Sequence, residues 1–201
     1  MPQLSDYKIF ADNFTKLKQT SRSGNKRHAT YMTQSSLQVV AFDKVKKVYC
    51  RSCHLSQMPE SNDALLEDGK GKFVFVEFKD SFIDKSTVYN IIEKIYNSVL
   101  IFSGITTLGI PAICNSVNYV LVYNEAKNRD NEDAQLRKKQ AMAVSTSLSL
   151  DKIGKATAKW AEKNYICFGL EAFKNYCFKE VYTFTQEEFE DYLKKIVSVE
   201  K

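Results

Sequence analysis

Glycine and proline are scarce, seven and three in 201 residues, so there is little material for long flexible linkers or low-complexity tracts. Long hydrophobic runs are also lacking. The longest apolar region, 99–113, is interrupted by Ser103, Gly104, Thr106, Thr107 and Gly109, and no segment approaches the ~18 apolar residues needed to span a bilayer. The opening MPQLSDYKIF has no basic start followed by an apolar run, so no secretory leader is expected. Five cysteines are an odd number in such a chain, which makes free thiols and a cytoplasmic location the expectation. Charge of one sign does not dominate: 29 Lys and Arg face 24 acids for a net +5, a balance that permits nucleic-acid contact without demanding it.

What is present is ordinary for a globular chain. Apolar residues make up 44% and charged residues 26%, and the length suits one sizeable core. A single domain over 1–201 is therefore expected, with a helix and basic arm over 1–33, a core over 34–123 and a C-terminal α+β extension over 124–201.

Periodicity orders the elements. Phe10, Phe14 and Leu17 predict a helix over 1–18, and QTSRSGNKRHAT (19–30) reads as a basic loop. Leu37, Val40, Ala41, Val45 and Val48 predict a helix over 34–50, with Ser35 or Ser36 as cap. Asp63–Glu67 and Lys72–Lys79 read as two strands joined by the turn Asp68-Gly69-Lys70-Gly71. Phe73 to Val76 is apolar on both faces, as in a central strand covered on both sides. A helix over 85–103 follows, capped by Asp84 or Ser86, and then a buried strand over 118–123, which implies a crossover with parallel pairing. The charged stretch 125–138 reads as exposed. A helix over 147–163, a short strand at 166–169, a short helix at 170–176 and a strand at 181–184 come next. Thr185 and Glu188 have capping-box spacing at the start of the last helix. The fold class is α/β, a mixed sheet with a central hairpin flanked by helices.

Glu77 and Lys79 are two apart on one strand and leave the same face, in line with Phe73 and Phe75. The hairpin places Asp63 opposite Val76 or Glu77, with Cβ atoms about 5 Å apart. Asp63, Glu77 and Lys79 therefore converge at one end of the hairpin. Two carboxylates and a lysine suit metal-assisted phosphodiester cleavage. Taken alone, E-x-K on a strand is far more often a salt-bridged pair at a solvated strand end than a site.

The sequence Asp63, hairpin, Glu77-Phe78-Lys79, helix 85–103 and strand 118–123 resembles the PD-(D/E)xK nuclease superfamily over residues 34–123. The resemblance implies a restriction-endonuclease-like core of helix, three-strand meander, helix and strand. It implies Asp63 and Glu77 as ligands of Mg²⁺ or Mn²⁺ and Lys79 as the catalytic lysine. Lys85, Tyr89 or Lys94 would be the added polar residue from the following helix. Asn62 stands where the family has proline, no meander strand is legible before residue 60, and Asp43 is the candidate acid on helix 34–50.

Arg22, Lys26 and Arg27, with Lys85 and Lys94, are the candidate contacts to nucleic-acid phosphates. The implied function is a metal-dependent nuclease-like protein that acts on or binds nucleic acid. The alternative is a non-catalytic bacterial immunity or antitoxin-type protein that blocks a partner toxin; no membrane partner is expected. Cys50-Arg-Ser-Cys53-His54 has the spacing of c-type haem attachment, but His28 is the only other histidine and no haem is expected. A helix end carrying two thiols, or a zinc site on Cys50, Cys53 and His54, are the other readings. Leu170, Phe173, Tyr176 and Phe178 are read as core, with a docking surface as the alternative.

Overall fold

The computed structural model describes residues 3–25, 27–147 and 165–197. Its strands are β1 (Phe14–Lys16), β2 (Arg22–Ser23), β3 (Thr30–Tyr31), β4 (Gln38–Ala41), β5 (Ala64–Glu67), β6 (Phe73–Lys79), β7 (Val117–Tyr123) and β8 (Val181–Thr185). β2 and β3 form a separate antiparallel ribbon, and the other six form one mixed sheet in the order β1-β4-β5-β6-β7-β8. Pairing is antiparallel from β1 to β6 and parallel from β6 to β8. The helices are α1 (Lys8–Ala11), α2 (Leu17–Thr20), α3 (Phe42–Ser52), α4 (Lys85–Thr106), α5 (Ile110–Ser116), α6 (Glu132–Ser147) and α7 (Gln186–Val197). α4 and α5 make the crossover between the parallel strands β6 and β7.

Strand alternation splits the core into two layers. Phe73 and Phe75 join Phe42 and Val45 of α3 and Ile91, Ile95 and Phe102 of α4 on one face. Val74, Val76 and Phe78 join Phe189 and Leu193 of α7 on the other. Aromatic rings fill the first layer: Phe42 meets Phe75 at 4.9 Å, and Phe102 meets Phe73 at 5.4 Å and Phe75 at 5.7 Å. α4 starts where expected, because the Asp84 carboxylate accepts the Thr87 N–H at 2.8 Å. Thr185 and Glu188 form their reciprocal pair at the start of α7. Among the described residues no single helix is long and apolar enough to cross a membrane.

α3 meets α4 at Gly104, where an added Cβ would lie 2.1 Å from the Tyr49 hydroxyl oxygen. Gly104→Ala gains about 1 kcal/mol of helix propensity, but displacing a packed ring costs about 1–3 kcal/mol. Thermal melts are expected to show a net loss that Gly104→Ala/Tyr49→Leu recovers.

Several expectations need correction. Residues 1–18 are not one helix: a 3-10 turn (Leu4–Asp6), α1, β1 and α2 share them. The arm 19–30 contains the β2–β3 ribbon. The helix expected over 34–50 divides into β4 and α3, and Ala41, not Ser35 or Ser36, stands at the cap. β4 pairs Val40 with Leu65, so a strand that the sequence did not reveal stands beside β5 before residue 60. Stretch 125–138 is not uniformly exposed, since Asn128, Ala134 and Arg137 are buried. Arg137 donates to the Tyr123 hydroxyl at 2.9 Å and also pairs with Glu188. Residues 166–169 are not a strand, because Phe168 and Gly169 both have positive φ. Leu170–Phe173 is a 3-10 turn. Leu170, Phe173 and Phe178 are core, whereas Tyr176 is exposed. The helix expected over 147–163 lies, past Ser147, outside the described residues.

Candidate active site

The β5–β6 register pairs Ala64 with Val76, and one step further brings Asp63 opposite Glu77. The Asp63 amide donates to the Val76 carbonyl at 3.2 Å, and the Phe78 amide donates back to Asp63 Oδ2 at 2.8 Å. These two bonds fix the carboxylate at the strand end. Glu77 shares its face with Phe73 and Phe75 and is completely buried. Its Oε1 receives two ammonium groups, Lys94 Nζ at 2.7 Å and Lys79 Nζ at 3.1 Å. Lys94 also reaches Asp63 Oδ1 at 4.0 Å. Asp63, Glu77, Lys79 and Lys94 are therefore one cluster of two acids and two bases. β5 and β6 supply three of them, and α4 lays the fourth across.

Glu77 Oε2 is buried without a hydrogen-bonding partner among the described residues. So are the Tyr119 hydroxyl and the side-chain polar atoms of Ser61 and Asn62. Tyr119 lies on β7 in register with Phe75, on the face that Glu77 uses. The Asn62 amide donates to Ser98 Oγ of α4 at 2.9 Å, tying the approach to Asp63 against the helix. Buried polar groups without protein partners are rare in native cores, so their gathering here marks the place chemically.

Burial, and after it the Glu77 charge, push the Asp63 carboxyl up to about 8, against the pull of Lys94, the Phe78 amide and Lys79. About a quarter of that side chain (26%) reaches solvent, which moderates the desolvation. For Lys94, burial works against the ammonium, but the Glu77 and Asp63 charges outweigh it and its pKa is raised. Tyr119 is held well above its ordinary value by burial and then by the same two acids, so its hydroxyl keeps its proton.

The remaining candidates scatter. Lys85 and Tyr89 are exposed on the first turns of α4 and make no contact with the acids. Arg22 sits in β2, paired with Tyr31, and Arg27 is exposed in the ribbon's loop. Lys26 lies outside the described residues. The ribbon is fastened near the cluster, since Thr30 Oγ1 donates to Asp80 at 3.0 Å, one residue past Lys79. Asp43 is taken by Lys46 at 2.6 Å and Lys47 at 2.7 Å and does not join the site. Cys50 is buried, Cys53 is exposed at the C-cap of α3, and His54 follows it with positive φ. Among the described residues no three His, Cys, Asp or Glu side chains gather to hold a metal.

Lys94 was named both as a phosphate contact and as one of three candidates for the polar residue added from the following helix, and its ammonium lies on the carboxylates. Tyr119 and Ser98 were missed, and Asn62 was noted only as the residue standing where the family has proline. The local signal was that Tyr119 carries a polar group within a mostly apolar strand. No protein-family model matches the chain, and no curated protein or solved structure matches it.

Proposed function

We propose that this chain is a metal-dependent nuclease-like protein, acting on or binding nucleic-acid phosphodiesters through a restriction-endonuclease-like core. The observation that carries this reading is the pairing of Asp63 with Glu77 across the β5–β6 register, with Lys79 and Lys94 on the same cluster. The element order supports it as well: β4, β5 and β6 form a three-strand meander, α4 follows, and β7 returns parallel to β6. One departure from the family pattern is that α3 lies within the meander rather than before it.

The donor set fits a hard cation. Glu77 Oε2 accepts nothing from the described residues, and Asp63 Oδ1 faces the Lys94 ammonium at 4.0 Å, beyond hydrogen-bond distance. Mg²⁺ is commonly held by one or two carboxylates together with substrate oxygens, so two acids suffice. When bound, such a cation lowers the pKa of a water and stabilises charge on a phosphate. Lys79 neutralises phosphate charge or orients the attacking water. Lys85 and the arginines of the β2–β3 ribbon supply sequence-independent phosphate contacts.

The test is cleavage of single- and double-stranded DNA and RNA with Mg²⁺ or Mn²⁺, wild type against Lys79→Ala. Cleavage that needs the metal and disappears in a folded Lys79→Ala supports the enzyme. No cleavage of any nucleic acid overturns it.

One observation favours a second reading. The Lys94 ammonium already spans both acids, as expected of a core that keeps its charge pairs without catalysis. Such a protein would bind and block a protein partner such as a toxin. A toxin gene beside its own, and a stoichiometric complex with that toxin, are what this reading expects.

A further inference from the structure

We propose that Lys94 is a displaceable counter-ion of the carboxylate pair, a tethered cation that occupies the site in the resting protein and gives way to a divalent metal. The inference rests on the metal-binding reading above and deepens it by assigning the site its resting occupant.

The geometry separates the two lysines. Lys79 stands beside Glu77 on the same strand and meets only that acid, at 3.1 Å. Lys94 comes from the helix above, donates to Glu77 Oε1 at 2.7 Å and lies 4.0 Å from Asp63 Oδ1. It is the ammonium that faces both carboxylates at once, which is what a bridging cation does. Two positive groups cannot share that position: like charges repel, and the carboxylate oxygens hold a limited number of lone pairs. Glu77 is fully buried and cannot turn away to solvent, so an incoming cation competes with Lys94. Lys94 has somewhere to go, because its side chain keeps 15% exposure and a flexible four-carbon stem. Both lysines load one oxygen of Glu77 and leave the buried Oε2 without a partner among the described residues, while Asp63 keeps 26% exposure, so a metal reaches the pair from the Asp63 side and finds a spare acceptor on Glu77.

Competition has a signature that simple structural support lacks. Removing a competing cation strengthens metal binding, whereas removing a supporting residue weakens it. The experiment follows Mn²⁺ binding by loss of the free-ion electron paramagnetic resonance signal, at one pH, for wild type, Lys94→Met, Lys94→Gln and Lys79→Met. Lys94→Gln keeps a hydrogen-bond donor for Glu77 and covers the case in which Lys94→Met does not fold. Both Lys94 variants are expected to bind Mn²⁺ at least about tenfold tighter than wild type, with Lys79→Met changing less. In the wild type, ¹⁵N-lysine spectra are expected to move the Lys94 ammonium signal to the position of a solvated lysine as Mg²⁺ is added. Wild type that binds Mn²⁺ while the Lys94 variants bind equally or more weakly overturns this inference and leaves the metal reading standing. An unmoved Lys94 signal at saturating Mg²⁺ does the same. No binding by any of the four proteins overturns both.

Discussion

Asp63→Asn is expected to stabilise the metal-free protein at neutral and alkaline pH and, on the proposed nuclease reading, to abolish metal-dependent cleavage. Asp63 carries a carboxylate beside the buried Glu77, and burial followed by the Glu77 charge raises its pKa to about 8. An acid with a folded-state pKa above its unfolded value of about 4 holds its proton more tightly when folded. The stability it contributes is fully present below about 4 and is lost as the pH rises through the folded value. Asparagine is uncharged throughout and retains an oxygen to accept the Phe78 N–H, so the variant escapes that loss. With the partial exposure of the side chain discounted, a gain of about 1–2 kcal/mol at pH 8 is expected. That corresponds to roughly 3–6 °C in Tm for a chain of this size. Melting curves of both proteins between pH 4 and pH 9 check it: the two should coincide at the acid end and diverge upward. Coincidence across the whole range would mean that the pair is not strained. On the proposed nuclease reading, metal-dependent cleavage moves the opposite way and falls at least about a hundredfold, since that reading makes Asp63 an electrostatic group acting on the transition state. A residue that costs stability and supports chemistry is the usual signature of a functional site.

The largest loss of stability is expected from Phe102→Ala. Phe102 is fully buried on α4 and touches three other rings: it stacks on Phe10 at 5.9 Å and meets Phe73 and Phe75 edge-on. It joins α1, α4 and β6 in one layer, so no single element can move in to fill the space. Truncating a buried phenylalanine costs about 3–5 kcal/mol, the transfer energy plus the cavity left behind. A fall in Tm of about 10 °C follows for a chain of this length. Phe102→Leu should recover more than half of it, because most of the volume returns. A small change for Phe102→Ala would mean that the aromatic layer repacks. The same layer fixes where α4 lies on β6, so the milder variants should also loosen the contact between Lys94 and Glu77.

How far the sequence was legible follows from the range of the forces involved. The β5–β6 hairpin was readable because its turn is local: Asp68, Gly69, Lys70 and Gly71 sit at the reversal, Gly71 takes a positive φ of 72°, and the register follows from counting outward. Once register is set, the period of two puts Glu77 and Lys79 on the face of Phe73 and Phe75. α4 was readable from its apolar stripe and its Asp84 cap, and α7 from the Thr185–Glu188 pair, for the same reason. β4 was hidden. Gln38-Val39-Val40-Ala41 runs into α3 without a breaker, and Val40, Ala41 and Val45 fit a helical spacing as well as a strand followed by a helix. Only pairing with β1 and β5 decides for the strand, and those partners are distant in sequence.

The site divides along the same line. By itself, the sequence determined that a carboxylate and a lysine leave one face of the central strand beside a second carboxylate, because turn geometry and strand pleat are short-range. Tertiary structure alone decided that Lys94 closes over both acids and that Tyr119 and Asn62 are buried next to them. Those contacts depend on how a helix settles on a sheet, and that is governed by the packing of Ile91, Ile95 and Phe102 of the helix against Phe10, Phe42 and Phe75, which are distant from Lys94 in the chain.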